Sequence, residues 1–164
     1  QVKVKYGKGL PDRDRIGKGK IPVYGSSGKV GNHNKQLINF NTIVIARKGS
    51  VGNNFIVKEP CWPIDTTYYL EDINLDIDYL YYFLNSSIFK DTSTAIPSLR
   101  RNDLESIKIS FPKSLPTQQI IVSAIESKFS VIDKVEEIVD NSLKKAEMLR
   151  KSILKSAFEG RLIK

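Results

Sequence analysis

The residue types that could carry nucleophilic or metal chemistry are scarce in this sequence. It contains one histidine, His33, and one cysteine, Cys61, so a Cys/His or Ser/His/Asp site would depend wholly on His33. A single cysteine also excludes a disulfide framework and a cysteine zinc cluster. Asp65, Glu71 and Asp72 lack the following lysine that is typical of a nuclease centre. We therefore predict a chain without catalysis, metal or cofactor of its own.

The glycine-rich segment at residues 24–30 has a faint likeness to a phosphate-binding loop. It lacks the GxxxxGK[ST] spacing, since Val23 stands where the first glycine would be and Val30 replaces the hydroxyl. Two similar segments, 28–32 (GKVGN) and 49–53 (GSVGN), instead predict a pair of tight turns that bring backbone close to a ligand. Two ordinary hairpin turns are the alternative, and this pattern alone favours it.

The positive charge is concentrated in the first third of the chain. The net charge is +8, and residues 1–58 hold twelve basic and two acidic residues. Residues 59–115 hold five basic and nine acidic residues. A cationic region rich in glycine and small polar residues favours a polyanion such as DNA as its partner. The alternative is a generic basic surface.

The groups suited to binding DNA lie mostly in this basic region. Candidates for phosphate contacts are Arg13, Arg15, Lys20, Lys29 and Lys35. Candidates for phosphate or guanine contacts are Arg47, Lys48, Arg100 and Arg101. Candidates for adenine contacts are Asn32, Asn34 and Asn53, and further donors are Tyr24, Ser26, Ser27, Ser50 and His33. Composition leaves open which of them touch bases.

The periodicity of the first 112 residues predicts a mixed, β-rich α+β domain with a few short helices. Strands are predicted at 21–24, 42–46, 55–57, 66–70 and 107–111. A helix is predicted over 76–89, capped by Asp76, and a short helical turn from Asn102.

A long helix of the coiled-coil type is predicted from Pro116 to about Phe158, with Gly160 as its stop. Its apolar seam needs a partner helix, because so long a helix cannot bury its seam on a small domain. The predicted partner-helix residues recur at heptad spacing: Ile125, Ile132, Val135, Val139, Ala146, Leu149 and Ile153.

Several segments, by their order and spacing, carry a resemblance that covers nearly the whole chain. They are 19–28 (GKIPVYGSSG), 45–52 (IARKGSVG), 62–69 (WPIDTTYY), 95–99 (AIPSL), 111–112 (FP), 116–119 (PTQQ) and 149–162 (LRKSILKSAFEGRL). With these segments the chain resembles the specificity (S) subunit of type I restriction-modification systems.

The resemblance implies a target-recognition domain at 1–112 and a conserved helical docking region at 113–164. It implies double-stranded DNA, methyltransferase (modification) subunits and a motor-nuclease (restriction) subunit as partners. The sequence itself has no apolar run long enough to span a bilayer and no signal-peptide core at residues 1–5, so we expect a cytoplasmic protein without a membrane. S-adenosylmethionine, ATP and Mg belong to those partner subunits. Such subunits usually carry two units in tandem whose long helices pair antiparallel, so this chain is expected to be a fragment, or a half-subunit that forms a homodimer or pairs with a second S half.

The sequence departs from the family pattern in two further places. Gln118 stands where an acidic residue usually precedes Gln119. The N-terminal stretch that normally precedes such a domain is absent, which suggests a truncation. The remaining alternatives to specific recognition are a non-specific nucleic-acid-binding module and a coiled-coil adaptor.

Overall fold

The structure, a computed structural model, describes residues 2–15, 19–87 and 98–162. It divides after Val122 into two compact units. The strands of the first unit are β1 Lys3–Tyr6, β2 Ile21–Gly25, β3 Gly28–His33, β4 Thr42–Ala46, β5 Asn54–Val57, β6 Trp62–Pro63 and β7 Thr67–Glu71. The helices are α1 Asp12–Arg15, α2 Ile77–Ser87, α3 Arg101–Glu105 and α4 Leu115–Phe158. The predicted α+β class with a long C-terminal helix is confirmed.

A four-stranded antiparallel sheet, in the order β1-β7-β4-β5, forms the centre of the first unit. All five residues of β4 are buried, because apolar side chains cover both faces of this strand. Ile43 and Ile45 pack with Leu80 and Leu84 of α2, while Val44 packs in a separate cluster on the other face. The continuous apolar run in β4 is therefore the signature of a strand buried on both sides.

A smaller sheet, in the order β3-β2-β6, carries the glycine-rich hairpin. β2 and β3 pair antiparallel, with a register shift between Val23 and Tyr24, and β2 pairs parallel with β6. Val23 is buried with Leu10 and Ile64, which fixes this hairpin on its own small core.

Helix α2 begins where the capping residue predicts. The backbone N–H groups of Asp78 and Tyr79 donate to the Asp76 carboxylate at 3.1 and 3.0 Å. The predicted residues 88 and 89 lie outside the described residues.

Gln118, the departure from the family pattern, is buried at the start of α4. Its side-chain oxygen accepts a hydrogen bond from the Asp76 N–H at 2.8 Å, and its Nε2 donates to the Pro112 carbonyl at 2.7 Å. The amide therefore joins the segments that precede α2 and α4.

Two predictions of local structure were wrong, and one strand was missed. The segment 28–32, read as a loop, lies in β3, since it pairs with β2. Residues 107–111 form no strand, although Ile107 and Ile109 pack half-buried against the main core. Strand β1 was not predicted at all. Its alternation of Val4, which is buried, with exposed Lys3 and Lys5 was the missed signal.

In the second unit, α4 continues from residue 123 to Phe158. The whole helix has 44 residues, about 66 Å at 1.5 Å per residue. It ends in a Schellman motif: the Gly160 N–H donates to Ala157 and the Arg161 N–H donates to Ser156, with Gly160 at φ 70°. The predicted stop at Gly160 is confirmed.

Candidate nucleic-acid interface

Two hairpin turns meet at one end of the first unit. The first turn joins β2 to β3 and contains Ser26 and Ser27, and the second joins β4 to β5 over residues 47–53. A Cβ on Gly49 would lie 3.7 Å from the Cβ of Ser26, so the turns are in van der Waals range. The Ser26 hydroxyl also donates to the Thr66 carbonyl at 3.4 Å. We call this surface, formed by residues 26–27, 47–53, 65–66 and 98–100, the turn face.

The second turn is bonded to the segment before α3. The Leu99 N–H donates to the Arg47 carbonyl at 2.9 Å, and the backbone of Lys48 forms an antiparallel β-bridge with that of Ser98. Two distant parts of the sequence thus meet on the turn face. The predicted contact residues on it or beside it are Tyr24, Ser26, Ser27, Lys29, Arg47, Lys48, Ser50, Asn53 and Arg100.

Two predicted contact residues at the turn-face end of the unit, Tyr24 and Arg47, are partly buried. Burial, assisted by nearby Glu59 and Cys61, raises the pKa of Tyr24, so this phenol stays protonated and remains a donor. Arg47 donates from Nη1 to the Asp65 carbonyl at 3.0 Å and lies over the rings of Tyr6 and Tyr68.

The remaining predicted contacts, apart from Arg101, form a second group at the other end of the β2–β3 hairpin. They are Arg13, Arg15, Lys20, Asn32, His33, Asn34 and Lys35. His33 Nδ1 lies 3.0 Å from the Asp14 carbonyl, and its ring meets Trp62 edge-on at 5.2 Å between centroids. Gly31 packs so tightly on the Arg15 carbonyl that no side chain would fit there.

In the described ranges, most of the predicted contact residues that carry a positive charge lack the ion pairs that three other lysines of the first unit form. Lys3, Lys5 and Lys58 form ion pairs with carboxylates at 2.7–3.8 Å. Within residues 2–15, 19–87 and 98–162, by contrast, no ion pair involves Arg13, Lys20, Lys29, Lys35, Arg47, Lys48 or Arg100. Positive potential is therefore left unneutralised along the hairpin and the turn face.

Two predicted arginines are already engaged within the protein. Arg15 donates to the Leu10 carbonyl and pairs with Asp12, both at 2.7 Å. Arg101 pairs with Glu105 at 2.8 Å and borders a cavity of about 560 Å³ between β1, α2 and α3, whose lining is apolar apart from Lys3, Lys5, Arg101 and Glu105. These arginines have fewer donors left for a ligand.

The described residues lack the features of a metal site or of a membrane span. The cavity lining includes no histidine, cysteine or serine. No metal-binding group of three or more His, Cys, Asp or Glu residues occurs in the described part of the chain. None of the helices there combines the length and apolarity needed to cross a membrane.

The predicted partner-helix residues lie on α4, beyond the first unit. Ile132, Val135, Val139, Leu149 and Ile153 are each 47–61% exposed, Ala146 is exposed, and Ile125 is half-buried. An exposed aliphatic seam of this length is an apolar surface of the kind that marks an interaction site.

Comparison with known proteins gives one consistent result. A curated relative, the type I restriction enzyme EcoDI specificity subunit of Escherichia coli, is 32% identical over 94 residues, covering 54% of this chain and 21% of the relative. A type I S subunit from M. genitalium has a similar fold (TM-score 0.63, 22% identity, 96% of this chain and 43% of that chain).

Two further structures show the same fold. One comes from work on complex assembly of the type I R-M system (TM-score 0.81, 17% identity, 98% of this chain and 44% of that chain). The other is the HsdS subunit of Thermoanaerobacter tengcongensis (TM-score 0.70, 17% identity, 98% and 43%). The chain thus spans less than half the length of these relatives. Residues 2–145 match the model of the type I restriction modification DNA specificity domain. Since that match covers most of the sequence, the chain belongs to this family of non-catalytic specificity domains.

Proposed function

We propose that this chain reads one half of a bipartite duplex target for a type I restriction-modification complex. The observation that carries the proposal is the contact between the two hairpin turns of the turn face. This contact brings hydroxyl groups, an amide side chain and cations without ion pairs together on one surface. Lys29 and Lys48 supply sequence-independent attraction to phosphates. Ser26, Ser50 and Asn53 supply groups able to bond to base edges.

The spacing along the hairpin suits a duplex. β2 has five residues, so its ends lie about 13 Å apart at roughly 3.3 Å per residue. The major groove is about 12 Å wide. The backbone at the two ends of this hairpin is therefore about one groove width apart, and we propose that the cations beside each end contact phosphates that flank one groove.

Selection from a randomised duplex library tests the proposal. The wild-type chain is expected to enrich a defined half-site, and K29E/K48E is expected to bind every duplex too weakly for enrichment because it reverses two charges by the turn face. K108E/K113E is the matched control, since Lys108 and Lys113 are exposed outside the predicted contact set. Binding of all duplexes alike, with collapse as salt rises, would instead indicate a non-specific module.

We further propose that α4 pairs with an antiparallel copy of itself or with the corresponding helix of a second S half. Residues 126–140 hold five acidic and two basic residues, whereas 144–161 hold six basic and two acidic residues. Antiparallel pairing places each acidic half beside a basic half, whereas parallel pairing opposes like charges. In one such register Ile132 faces Leu149. The paired helices would set the half-site separation and dock modification and restriction subunits, which bring S-adenosylmethionine, ATP and Mg.

Sedimentation of seam variants tests the pairing. I132D/V139D buries charge in the seam and is expected to give monomers, while Trp62 fluorescence reports an intact first unit. S130D/N141D adds the same charge on other faces of α4 and is expected to associate like the wild type. Unchanged association of I132D/V139D would show that the seam is misassigned.

A further inference from the structure

Arg47 has more contacts than any other cation of the turn face. Its backbone N–H donates to the Thr66 carbonyl at 3.0 Å, and its carbonyl accepts from Leu99 at 2.9 Å. Its Nη1 donates to the Asp65 carbonyl at 3.0 Å. One residue thus bonds to the 65–66 segment and to the segment before α3, and it begins the second turn.

The guanidinium is also stacked on two aromatic rings. Its Cζ lies 5.2 Å from the ring centroid of Tyr6 and 5.5 Å from that of Tyr68, and the two rings are 5.0 Å apart. Both distances lie within the range of cation–π attraction. Arg47 Nε is buried without a hydrogen-bond partner in the described part of the chain. The rings, rather than a carboxylate, therefore hold this cation.

The ring of Tyr68 extends the same network. Tyr68 is buried, and its hydroxyl donates to the Leu99 carbonyl at 3.1 Å. Leu99 is thus bonded to Arg47 through its N–H and to Tyr68 through its carbonyl. Because Lys48, Gly49 and Ser50 follow Arg47 directly, the orientation of the second turn depends on where Arg47 is fixed.

We propose that Arg47 is a positioning residue for DNA selectivity, which orients the turn face and does not itself read a base or neutralise a phosphate. The proposal rests on the proposed DNA-recognition function. Arginine is required because a planar guanidinium can stack on two rings and still donate in its plane, whereas the lysine ammonium is a compact point charge. A lysine at position 47 would keep the charge and lose the orientation.

The test compares R47K with K48M on two duplexes, the one that the wild-type chain selects and an unrelated one of equal length. For R47K we expect the affinity ratio between the duplexes to fall about tenfold, within the range of one base contact. Its affinity for unrelated DNA and its salt dependence should stay within about twofold of the wild type, since the charge remains. For K48M we expect both affinities to fall together, with a salt slope shallower by about 0.9.

Other outcomes would contradict either the positioning role of Arg47 or the DNA-recognition function. An unchanged ratio in R47K, or an equal loss on both duplexes, would overturn the positioning role. If R47K fails to fold by Trp62 fluorescence, Y6L takes its place, because Tyr6 is 50% exposed and its loss removes one of the two rings. Y6L should then lower the ratio about threefold, and an unchanged ratio in Y6L would overturn the role equally. A wild-type chain that selects no duplex would refute the DNA-recognition function instead.

Discussion

At the scale of single residues, Gln118 shows how one buried amide secures two backbone segments. Q118L would leave the Asp76 N–H and the Pro112 carbonyl without partners, and each unsatisfied buried group costs about 1–3 kcal/mol. We expect its free energy of unfolding to fall by about 2–4 kcal/mol. Urea denaturation followed by Trp62 fluorescence measures this. Q119L is the control, since Gln119 is exposed, and it should change the free energy little. Equal stability of both variants would contradict the assigned hydrogen bonds.

Cys61 gives a second prediction at this scale, on pH. Burial, followed by the nearby Glu59, raises the pKa of the Cys61 thiol to about 12. The pKa of the thiol in the folded chain thus lies above its ordinary value of 9.0. The contribution of the protonated thiol to the free energy of unfolding is therefore fully present below about pH 9 and is lost as the pH rises towards 12. The thiolate is the reactive form, so DTNB should label the native chain at pH 8 far more slowly than the urea-unfolded chain. Equal rates would show that the thiol is accessible in the folded state.

At the scale of elements, the N-cap of α2 can be tested alone. D76A removes the carboxylate that accepts from the Asp78 and Tyr79 N–H groups. The expected loss in the free energy of unfolding is about 1 kcal/mol. D76N keeps a side-chain oxygen in the same place and should lose only a few tenths of that amount. The comparison uses urea midpoints under one condition, and a loss in D76N as large as in D76A would argue against capping as the cause.

Elements whose pattern is local were predictable from the sequence. β4 is a continuous apolar run, α2 has a cap and a helical stripe, and α4 has 44 residues ended by glycine. β3 was mistaken for a loop because its glycines matched a turn pattern, and only pairing with β2 makes Gly28–His33 a strand. Residues 107–111 show the opposite error. Their apolar and polar residues alternate as in a strand, but in the described part of the chain they pair with no other strand.

The candidate site was predictable in its composition but not in its arrangement. The basic hairpin residues were identified from charge and glycine content. The contact between Ser26 and the second turn is tertiary, and so is the bond from Leu99 to Arg47, across 52 positions of sequence. The part played by Tyr6 was missed because strand β1 itself was missed. The family and its non-catalytic class were identified correctly because they rest on ordered motifs rather than on contacts.

At the scale of the whole molecule, the charge distribution along α4 makes the direction of pairing testable. E136K/E137K makes the acidic half net basic, and K144E/K145E makes the basic half neutral. In antiparallel pairing each variant alone weakens both acid–base contacts, whereas a mixture of the two keeps one of them, between the acidic half of K144E/K145E and the basic half of E136K/E137K. We expect each variant to associate several-fold more weakly than the wild type, since exposed ion pairs contribute about 0.2–1 kcal/mol each.

The single variants decide the direction of pairing, and the mixture tests whether their weaker association comes from lost acid–base contacts. In antiparallel pairing the mixture should sediment as a heterodimer that associates more tightly than either variant alone, and the differences should shrink at about 1 M salt, where the Debye length falls to roughly 3 Å. Parallel pairing predicts a different result, because Glu136 would face Glu136 of the other copy and reversing both charges would leave their repulsion unchanged. Variants that each associate as tightly as the wild type would therefore exclude the antiparallel arrangement, whereas weak single variants with a strong mixture would support it.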